Sequence, residues 1–444
     1  MGALKSVMFI APSAYPMGGV AVWLDYLTKG LPSYGWDAIV GLVSGRWHDA
    51  TQYGAAYPKL PILAIENPTG SAEGRIRALT SALNHVRPDV VVGVNIVDLY
   101  ASTRRLRGRG IKLRTVMSLH GLAADLLGDL RREADWLDAV IATNRLASLL
   151  CTKHAGVSPE RAFYAPYGVD VCKLSVLPRP APSPTLNIAW VGRLEQEQKR
   201  LDTICEILTH LDQLGVDYVL RIAGDGPDRR TLLADLSYWI VSGRVEYLGP
   251  LPADRIGAEV YAKSDVLILT SYWETGPIVV WEAMAAGLAV VSSRYIGSGL
   301  EAALAHDENC LLFPIGGGQQ AAAQIARLRD VNLRDRLVRS GQKLVIERYS
   351  IDLSVNAWAE CLNSILRLPI KASGEMPDRQ VCAGLLDRLL GVSLGESVRG
   401  ALGIHFKHAS AGGEWPHTRE LGSNEKLLLE KAEKMDINLS SVRP

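Results

Sequence analysis

The sequence predicts an α/β protein made of two doubly wound halves, each a parallel sheet with helices on both faces. Short apolar runs alternate with segments of helix length along most of the chain, which is the pattern of successive βαβ units. These runs are apolar throughout instead of alternating with polar residues, as expected of strands that are buried on both faces. The alternation stops in a proline-rich segment, 177–185, and then starts again.

The first half, residues 1–176, begins with a strand, a glycine loop, a helix and a second strand. The glycine loop holds Gly18 and Gly19, and the helix is predicted at Val20–Leu31. The predicted strands are Val7–Ala11, Ala38–Val43, Ile62–Ile65, Val90–Val94, Thr115–Leu119 and Ala139–Ala142. This order is typical of a Rossmann-like domain.

The second half, residues 186–350, follows a linker that four prolines stiffen. Its predicted strands are Leu186–Val191, Tyr218–Ala223, Val245–Leu248, Val266–Leu269 and Leu288–Val291. Two helices are predicted within Asn332–Leu366, and we expect residues 351–368 to cross back to the first domain. The tail, 369–444, holds helical pieces near Val381–Leu390 and Glu425–Lys434, and its role stays open.

The overall composition narrows the class of protein. A chain of 444 residues with 48% hydrophobic and 21% charged residues fits two soluble globular domains. The formal net charge of +1 gives no overall attraction to nucleic acid, so we expect no nucleic-acid partner. The six cysteines form no CxxC pairs, and the N-terminus leads directly into a strand. We therefore expect a cytoplasmic protein.

The stretch from Ser271 to Gly287 lies between two predicted strands and carries two carboxylates, Glu274 and Glu282. Pro277 stands where the first turn of a helix tolerates proline. The backbone amides from Gly276 to Val279 would then point at an anion. An equally weighted interpretation is a capping carboxylate followed by a solvated helix residue.

Two cations follow the first strand of the second half. Arg193 leaves the strand end, and Lys199 comes six residues later. Both can converge on a diphosphate, the guanidinium as a fork and the ammonium as a point charge. The competing interpretation is that either one is an ordinary surface salt-bridge residue.

Three further features are individually weak. His120 directly follows a strand, at the edge where open sheets bind ligands, although a lone histidine is more often structural. The loop with Gly18 and Gly19 lacks the GxGxxG spacing, so it predicts close backbone approach to a ligand and no dinucleotide fingerprint. Gly224 lies in Ala-Gly-Asp-Gly-Pro, which is also compatible with a simple tight turn.

A basic run stands out against the near-neutral total: Arg104, Arg105, Arg107, Arg109, Lys112 and Arg114. It predicts either peripheral contact with an anionic membrane surface or phosphorylated acceptor, or simply a solvated basic face. The sequence contains no Asp-x-Asp and no metal-ligand spacing of His and Glu. We therefore expect neither a metal nor another cofactor.

Taken together, these residues resemble the retaining glycosyltransferases of the GT-B fold in family 4. The signature of that group is a Glu, seven residues, and a second Glu followed by Ala-Met-Ala-x-Gly, which stands here as Glu274, Glu282 and 283–287. The Gly-Arg-Leu with its following lysine, the Ala-Gly-Asp-Gly-Pro, the Gly-Gly loop and His120 also match in order. The resemblance covers about residues 5–366 and implies two Rossmann-like domains that face a central cleft.

The resemblance also implies a role for each matched residue. Glu274 would hold hydroxyls of the transferred sugar, and Glu282 would hold the ribose of the nucleotide. Arg193 and Lys199 would neutralise the diphosphate, and His120 would contact the donor sugar near the reacting carbon. Donor contacts would also come from Gly18, Gly19, Gly224, Gly276, Pro277, Ile278 and Val279. Many members have Phe-Gly where this chain has Gly276-Pro277.

The implied reaction moves a sugar from a UDP- or GDP-sugar onto a glycan, a lipid-linked acceptor or a small molecule. It proceeds with retention, without metal, by front-face attack in which the leaving phosphate accepts the proton of the acceptor. The protein would work in the cytoplasm, with peripheral contact at the inner face of the membrane. Two alternatives stay open: another nucleotide-sugar enzyme of the same fold, such as an epimerase or hydrolase, and a non-catalytic scaffold that binds sugar nucleotides.

Overall fold

The structure of the protein is a computed structural model that describes residues 5–12, 19–43, 50–94, 96–181, 183–371, 384–405 and 424–440. Contacts divide the chain into two units. The first unit holds Met1–Ala165 and Val355–Leu428, and the second holds Pro166–Ser354 and Leu429–Pro444. Within the described ranges, no helix has the length and apolar character that crossing a membrane requires.

The strands and helices alternate along the chain. The strands are β1 Lys5–Pro12, β2 Trp36–Val43, β3 Ile62–Ile65, β4 Val90–Val94, β5 Arg114–Leu119, β6 Ala139–Ala142, β7 Ala162–Tyr164, β8 Leu186–Val191, β9 Tyr218–Ala223, β10 Val245–Gly249, β11 Val266–Leu269, β12 Ala289–Ser293 and β13 Leu311–Phe313. The helices are α1 Gly19–Gly30, α2 Ala50–Ala56, α3 Ala72–Val86, α4 Asp98–Gly108, α5 Ala124–Glu133, α6 Arg145–Lys153, α7 Val171–Ser175, α8 Gln196–Lys199, α9 Asp202–Gln213, α10 Arg229–Asp235, α11 Ser237–Val241, α12 Ala253–Glu259, α13 Ile278–Ala285, α14 Ser298–Glu301, α15 Gly318–Arg327, α16 Val331–Arg348, α17 Ile351–Arg367, α18 Leu385–Ala401 and α19 Glu425–Ser440.

The first unit is built on a seven-stranded parallel sheet in the order β3-β2-β1-β4-β5-β6-β7. The interior strand β1 pairs with β2 on one side and β4 on the other, and the strand order reverses between β1 and β4. Phe9 and Ile10 of β1 are fully buried. Since both faces of this strand are covered, its sequence is apolar without alternation.

The second unit is built on a six-stranded parallel sheet in the order β10-β9-β8-β11-β12-β13. Here β8 pairs with β9 and β11, and the strand order reverses between β8 and β11. The loops that follow β8 and β11 therefore leave the same edge of the sheet, where ligands bind in open α/β folds. Trp281 of α13 stacks on Tyr349, with 4.0 Å between ring centroids, and fixes α13 against the unit's core.

The predicted fold class is confirmed, and most of the predicted strands are present with the same or nearly the same ends. Two strands were missed, β7 and β13, each three residues long at a sheet edge. Periodicity needs more residues than this to register. The tail helices are longer than predicted, since α18 runs to Ala401 and α19 to Ser440. Residues 381–383 of the first predicted tail helix lie outside the described residues.

The change of unit occurs before the proline-rich segment. Contacts place it between Ala165 and Pro166, whereas the sequence suggested a boundary at residues 177–185. The physical reason is that the connecting residues pack in the second unit: the Val169 N–H donates to the Tyr349 carbonyl (2.8 Å), and α7 packs against α13. Helix α17 from Val355 onward belongs by its contacts to the first unit.

The close packing of the loops that follow β8 and β9 can be tested at Gly224. Its φ is +147°, and a Cβ there would overlap with the Gly192 carbonyl oxygen. We expect Gly224→Ala to lower the free energy of unfolding by at least about 2 kcal/mol, because strain and a backbone clash combine. Gly215 also has a positive φ, +61°, but open space around it, so Gly215→Ala should cost only about 1 kcal/mol. Equal losses in urea denaturation would contradict the clash.

Candidate active site

The loop after β8 and the loop after β11 meet through an ion pair. Lys199, the last residue of α8, donates from Nζ to Glu274 Oε1 at 2.5 Å. The side chains are 16% and 9% exposed, so the pair is largely shielded from water. A mostly buried cation and anion are stable together but costly apart. The structure thus joins two residues that the sequence placed separately.

Two neutral side chains also fix the Glu274 carboxylate. The fully buried Ser271 hydroxyl donates to Oε1 at 2.6 Å, and the Gln198 amide lies 3.5 Å from Oε2 and donates to the Trp273 carbonyl at 3.1 Å. Sequence reasoning missed Ser271 and Gln198. The only signal was position, since Ser271 begins the stretch that ends in the second glutamate and Gln198 precedes the lysine.

Backbone contacts hold the two loops in register. The Tyr272 N–H donates to the Gln198 carbonyl at 2.8 Å. The Thr270 hydroxyl donates to the Lys199 carbonyl at 2.6 Å and accepts from the Trp190 indole at 3.2 Å. Because Trp190 belongs to β8 and is buried, this chain of bonds fixes the position of Lys199 relative to the sheet.

Helix α13 begins immediately after this ion pair. Gly276 has a φ of +118°, which lets the chain turn sharply, and Pro277 is the residue before the first helical turn. The N–H groups of Ile278 and Val279 have no acceptor within the helix, as in any first turn. This helix end attracts anions through those N–H groups and its dipole. This helix N-terminus follows Glu274 directly along the chain.

Glu282 lies within α13 and is not part of the ion pair. The Tyr261 hydroxyl donates to its Oε2 at 2.8 Å. Burial raises the pKa of Glu282 to about 7, and the Tyr261 hydrogen bond and the charge of Lys173 oppose that rise only in part. Glu282 therefore changes charge near neutral pH. Tyr261 was not anticipated from the sequence.

Arg193 and Gly224 occupy the same sheet edge with different surroundings. Arg193 is 30% exposed, and its Nη1 lies 3.3 Å from Glu195 Oε2. It keeps partial access to solvent, as a residue that meets a ligand requires. Gly224 follows β9 and presses against Gly192, and its carbonyl accepts from the Tyr247 hydroxyl at 3.0 Å. The described contacts give Gly224 a packing role.

The first unit carries His120 at the end of β5. Its Nε2 lies 2.8 Å from the Ser118 hydroxyl, and its ring centroid lies 4.6 Å from that of Trp23 in α1. Burial lowers the pKa of His120 to about 3, so the imidazole is neutral at physiological pH. Gly19 is the first residue of α1, and Gly18 lies outside the described residues.

The basic run from Arg104 to Arg114 is mostly engaged within the first unit. Arg104 pairs with Glu133, Arg105 pairs through two nitrogens with Glu73, and Arg107 pairs with Asp138. Arg114 donates to the carbonyls of Leu366 and Leu368. Only Arg109 and Lys112 of the six are exposed. The run is therefore not the solvated basic face that the sequence suggested.

No group of three or more His, Cys, Asp or Glu side chains in the described part of the chain is arranged to hold a metal ion.

Two family models match the chain in succession. The model described as "Glycosyltransferase Family 4" matches residues 17–173, and the one described as "Glycosyl transferases group 1" matches residues 185–330. Together they cover more than half of the chain and every strand except β1, which precedes residue 17.

Similar curated proteins share part of the chain. The putative colanic acid biosynthesis glycosyltransferase WcaL of Escherichia coli is 30% identical over 38% of this chain and 43% of its own length. An uncharacterized glycosyltransferase of Methanocaldococcus jannaschii is 30% identical over 38% of this chain and 47% of its own length. The N-acetyl-alpha-D-glucosaminyl L-malate synthase of Bacillus anthracis is 24% identical over 58% and 70%. The chain thus spans less than half the length of the first two relatives.

Solved structures share the fold. Anabaena HepE in complex with UDP and glucose superposes with a TM-score of 0.65 at 19% identity, over 81% of this chain and 99% of that one. The pneumococcal O-GlcNAc transferase GtfA gives a TM-score of 0.67 at 10% identity, over 82% and 100%. At these identities the likeness shows the fold alone, which is the GT-B fold.

The ion pair can be tested by a double-mutant cycle. We expect Lys199→Met to destabilise the protein more than the double variant Lys199→Met with Glu274→Gln, because the single change strands a buried carboxylate. The coupling should lie at about 1–3 kcal/mol in the free energy of unfolding from urea denaturation. The exposed pair of Lys263 and Glu259 in the same unit is the control, with a coupling below about 1 kcal/mol. Strict additivity at Lys199 and Glu274 would contradict the pairing.

Proposed function

The chain belongs to the glycosyltransferases of group 1 and family 4, and from this premise we propose that it transfers a sugar from a nucleoside diphosphate sugar to an acceptor. The donor is a UDP- or GDP-sugar. One observation carries the proposal: the Lys199–Glu274 pair stands at the sheet edge beside the open N-terminus of α13. A sugar that bears a diphosphate needs hydroxyl acceptors and phosphate donors close together, and this edge supplies both.

Each group at this edge has a distinct task in the proposal. Glu274 accepts hydrogen bonds from sugar hydroxyls, and Ser271 and Lys199 hold its carboxylate in place. The N–H groups of Ile278 and Val279 bind phosphate oxygens. Glu282 accepts hydrogen bonds from the ribose.

Catalysis depends on charge that develops on the departing nucleoside diphosphate. Lys199, Arg193 and the N-terminus of α13 are positive and stand in place before the bond breaks. Such preorganised groups stabilise a transition state more than water does, because they need no reorientation. The Lys199 ammonium is held by Glu274 and by its loop, so it does not have to be ordered when the donor arrives.

The proposed reaction retains the configuration at the reacting carbon and requires no metal. The bond from that carbon to the leaving phosphate oxygen breaks as the acceptor oxygen bonds to the same face, and the leaving phosphate accepts the acceptor's proton. No pair of protein carboxylates flanking the bond is needed, unlike in most glycosidases. Because His120 is neutral, we assign it a hydrogen-bonding role and not that of a proton donor.

The acceptor is a glycan, a lipid-linked acceptor or a small molecule. The names of the relatives differ in this respect, since one is named for colanic acid biosynthesis and one for an L-malate product. Peripheral membrane contact through the basic run stays an untested prediction. With Arg109 and Lys112 as its exposed cations, the run falls short of the four to eight typical of anionic-lipid clusters.

The proposed activity is tested by a transfer assay with a panel of UDP- and GDP-sugars and acceptors. We expect Glu274→Ala, and the pair Arg193→Ala with Lys199→Ala, to lower kcat/KM by about a hundredfold or more. The control pair is Arg255→Ala with Lys263→Ala, two exposed cations of the same unit, which should keep normal activity. Full transfer by folded Glu274→Ala protein would overturn the assignment.

The same assay distinguishes the alternatives. Turnover of the donor without any acceptor would indicate a hydrolase or epimerase, and donor binding without transfer to any acceptor would indicate a scaffold.

The raised pKa of Glu282 leads to a prediction about the pH dependence of donor binding. Its pKa is about 7, so the side chain gains a proton as pH falls from 8 to 6 and becomes a poorer acceptor for ribose hydroxyls. We expect the affinity for the UDP- or GDP-sugar, whose doubly esterified diphosphate does not titrate in this range, to fall severalfold with the midpoint near pH 7. Glu282→Gln carries no titrating group and should bind with weaker but nearly pH-independent affinity. Calorimetric titration checks both, and an identical pH slope in the two proteins would contradict the assignment.

A further inference from the structure

The C-terminal helix α19 places a carboxylate in the second unit. Asp436 is only 4% exposed and accepts three backbone hydrogen bonds. Its Oδ2 accepts from the N–H groups of Gly297 (2.8 Å) and Gly299 (3.0 Å), and its Oδ1 accepts from that of Leu300 (2.7 Å). A buried carboxylate is unfavourable unless its oxygens are satisfied in this way.

Helix α19 presents Asp436 on its buried side. Leu429 and Ala432 are buried at 4% and 0%, and their spacing to Asp436 puts all three on one face. Lys434 and Ile437 are exposed. The carboxylate therefore lies in the helix's docking face and is not a surface charge that happens to meet a turn.

The turn that receives Asp436 is shaped for a close approach. Gly297 has a φ of +107°, a backbone conformation that favours glycine. A Cβ at Gly299 would lie 2.8 Å from the Asp436 carbonyl oxygen, so a larger residue would push the helix away. The two glycines and the aspartate fit as one set.

This turn is joined directly to the loop after β11, which carries Glu274. Ile296, which precedes Gly297, donates its N–H to the Tyr272 carbonyl (2.9 Å) and accepts from the Glu274 N–H (3.1 Å). Trp273 and Ile296 thereby form a parallel bridge. A shift of the turn would move the Glu274 backbone, because no flexible side chain intervenes.

We propose that Asp436 is a positioning residue for the donor site, and that α19 is part of that site's framework. The carboxylate holds the turn 296–300, the turn holds the backbone of Glu274, and Glu274 holds the sugar and Lys199. This inference rests on the proposed function for its effect on the donor. Residue 436 lies beyond both regions matched by the family models, so it is a feature of this chain's tail.

The test compares Asp436→Ala, Asp436→Asn and the control Glu430→Gln in the full chain. Glu430 is an exposed acid of the same helix whose charge acts on Tyr272, so its variant removes a like charge near the monitored loop while the Asp436 hydrogen bonds to the turn stay in place. Two quantities are measured: backbone hydrogen exchange across residues 271–276 and 296–300, and affinity for the nucleotide sugar that wild type binds best. We expect Asp436→Ala to speed hydrogen exchange in both segments and to lower the affinity for the donor about tenfold. The KM for the acceptor should be unchanged.

Asp436→Asn keeps one acceptor oxygen and should fall between wild type and Asp436→Ala. Glu430→Gln should match wild type. Circular dichroism and thermal unfolding show whether each variant is folded, and Asp436→Asn keeps the test available if the alanine variant is not.

Several outcomes would overturn the inference. The first is unchanged hydrogen exchange at residues 271–276 in a folded Asp436 variant, and the second is an equal effect of Glu430→Gln. The third is tighter donor binding and faster transfer by an Asp436 variant, which would make α19 an inhibitory element. Hydrogen exchange needs no substrate, so it decides the coupling even if wild type binds no nucleotide sugar. Failure of the wild-type protein to bind any nucleotide sugar would count against the proposed function and not against the coupling of Asp436 to the Glu274 loop.

Discussion

Two loops of the second unit leave neighbouring strands with opposite charges, and the ion pair between Lys199 and Glu274 joins them. The neighbouring side chains offset the cost of burying this pair. Ser271 and Gln198 satisfy the carboxylate's remaining capacity, and Thr270 holds the lysine backbone. Each charge lowers the cost of burying the other. The same edge then combines hydroxyl acceptors with a helix end that attracts phosphate.

The topology explains why these residues meet although 75 positions separate them. In a doubly wound parallel sheet the strand order reverses once, and the loops on either side of that point leave the same edge. In the second unit the reversal lies between β8 and β11. Residues that directly follow these two strands therefore lie close together in space, even when they are far apart in the sequence.

That translation also explains what the sequence could and could not predict. Long apolar strands such as β8 and β9 were found with their ends, since burial on both faces leaves a clear pattern. The three-residue edge strands β7 and β13 left none. Glu274 and Lys199 were selected as candidates because each follows a predicted strand, at the edge where open sheets bind ligands. Ser271, Tyr261 and Asp436 were not, because their roles exist only through tertiary hydrogen bonds. The basic run was misleading because its partners, Glu133, Glu73 and Asp138, are distant in sequence.

A crystal structure of the full chain with a hydrolysis-resistant nucleotide sugar tests the central claim most directly. We expect the sugar hydroxyls on Glu274, the diphosphate on Lys199 and the N–H groups of Ile278 and Val279, and the ribose on Glu282. A nucleotide bound with its diphosphate away from the α13 N-terminus, while the Lys199–Glu274 pair stays unchanged and without contact to it, would contradict the account.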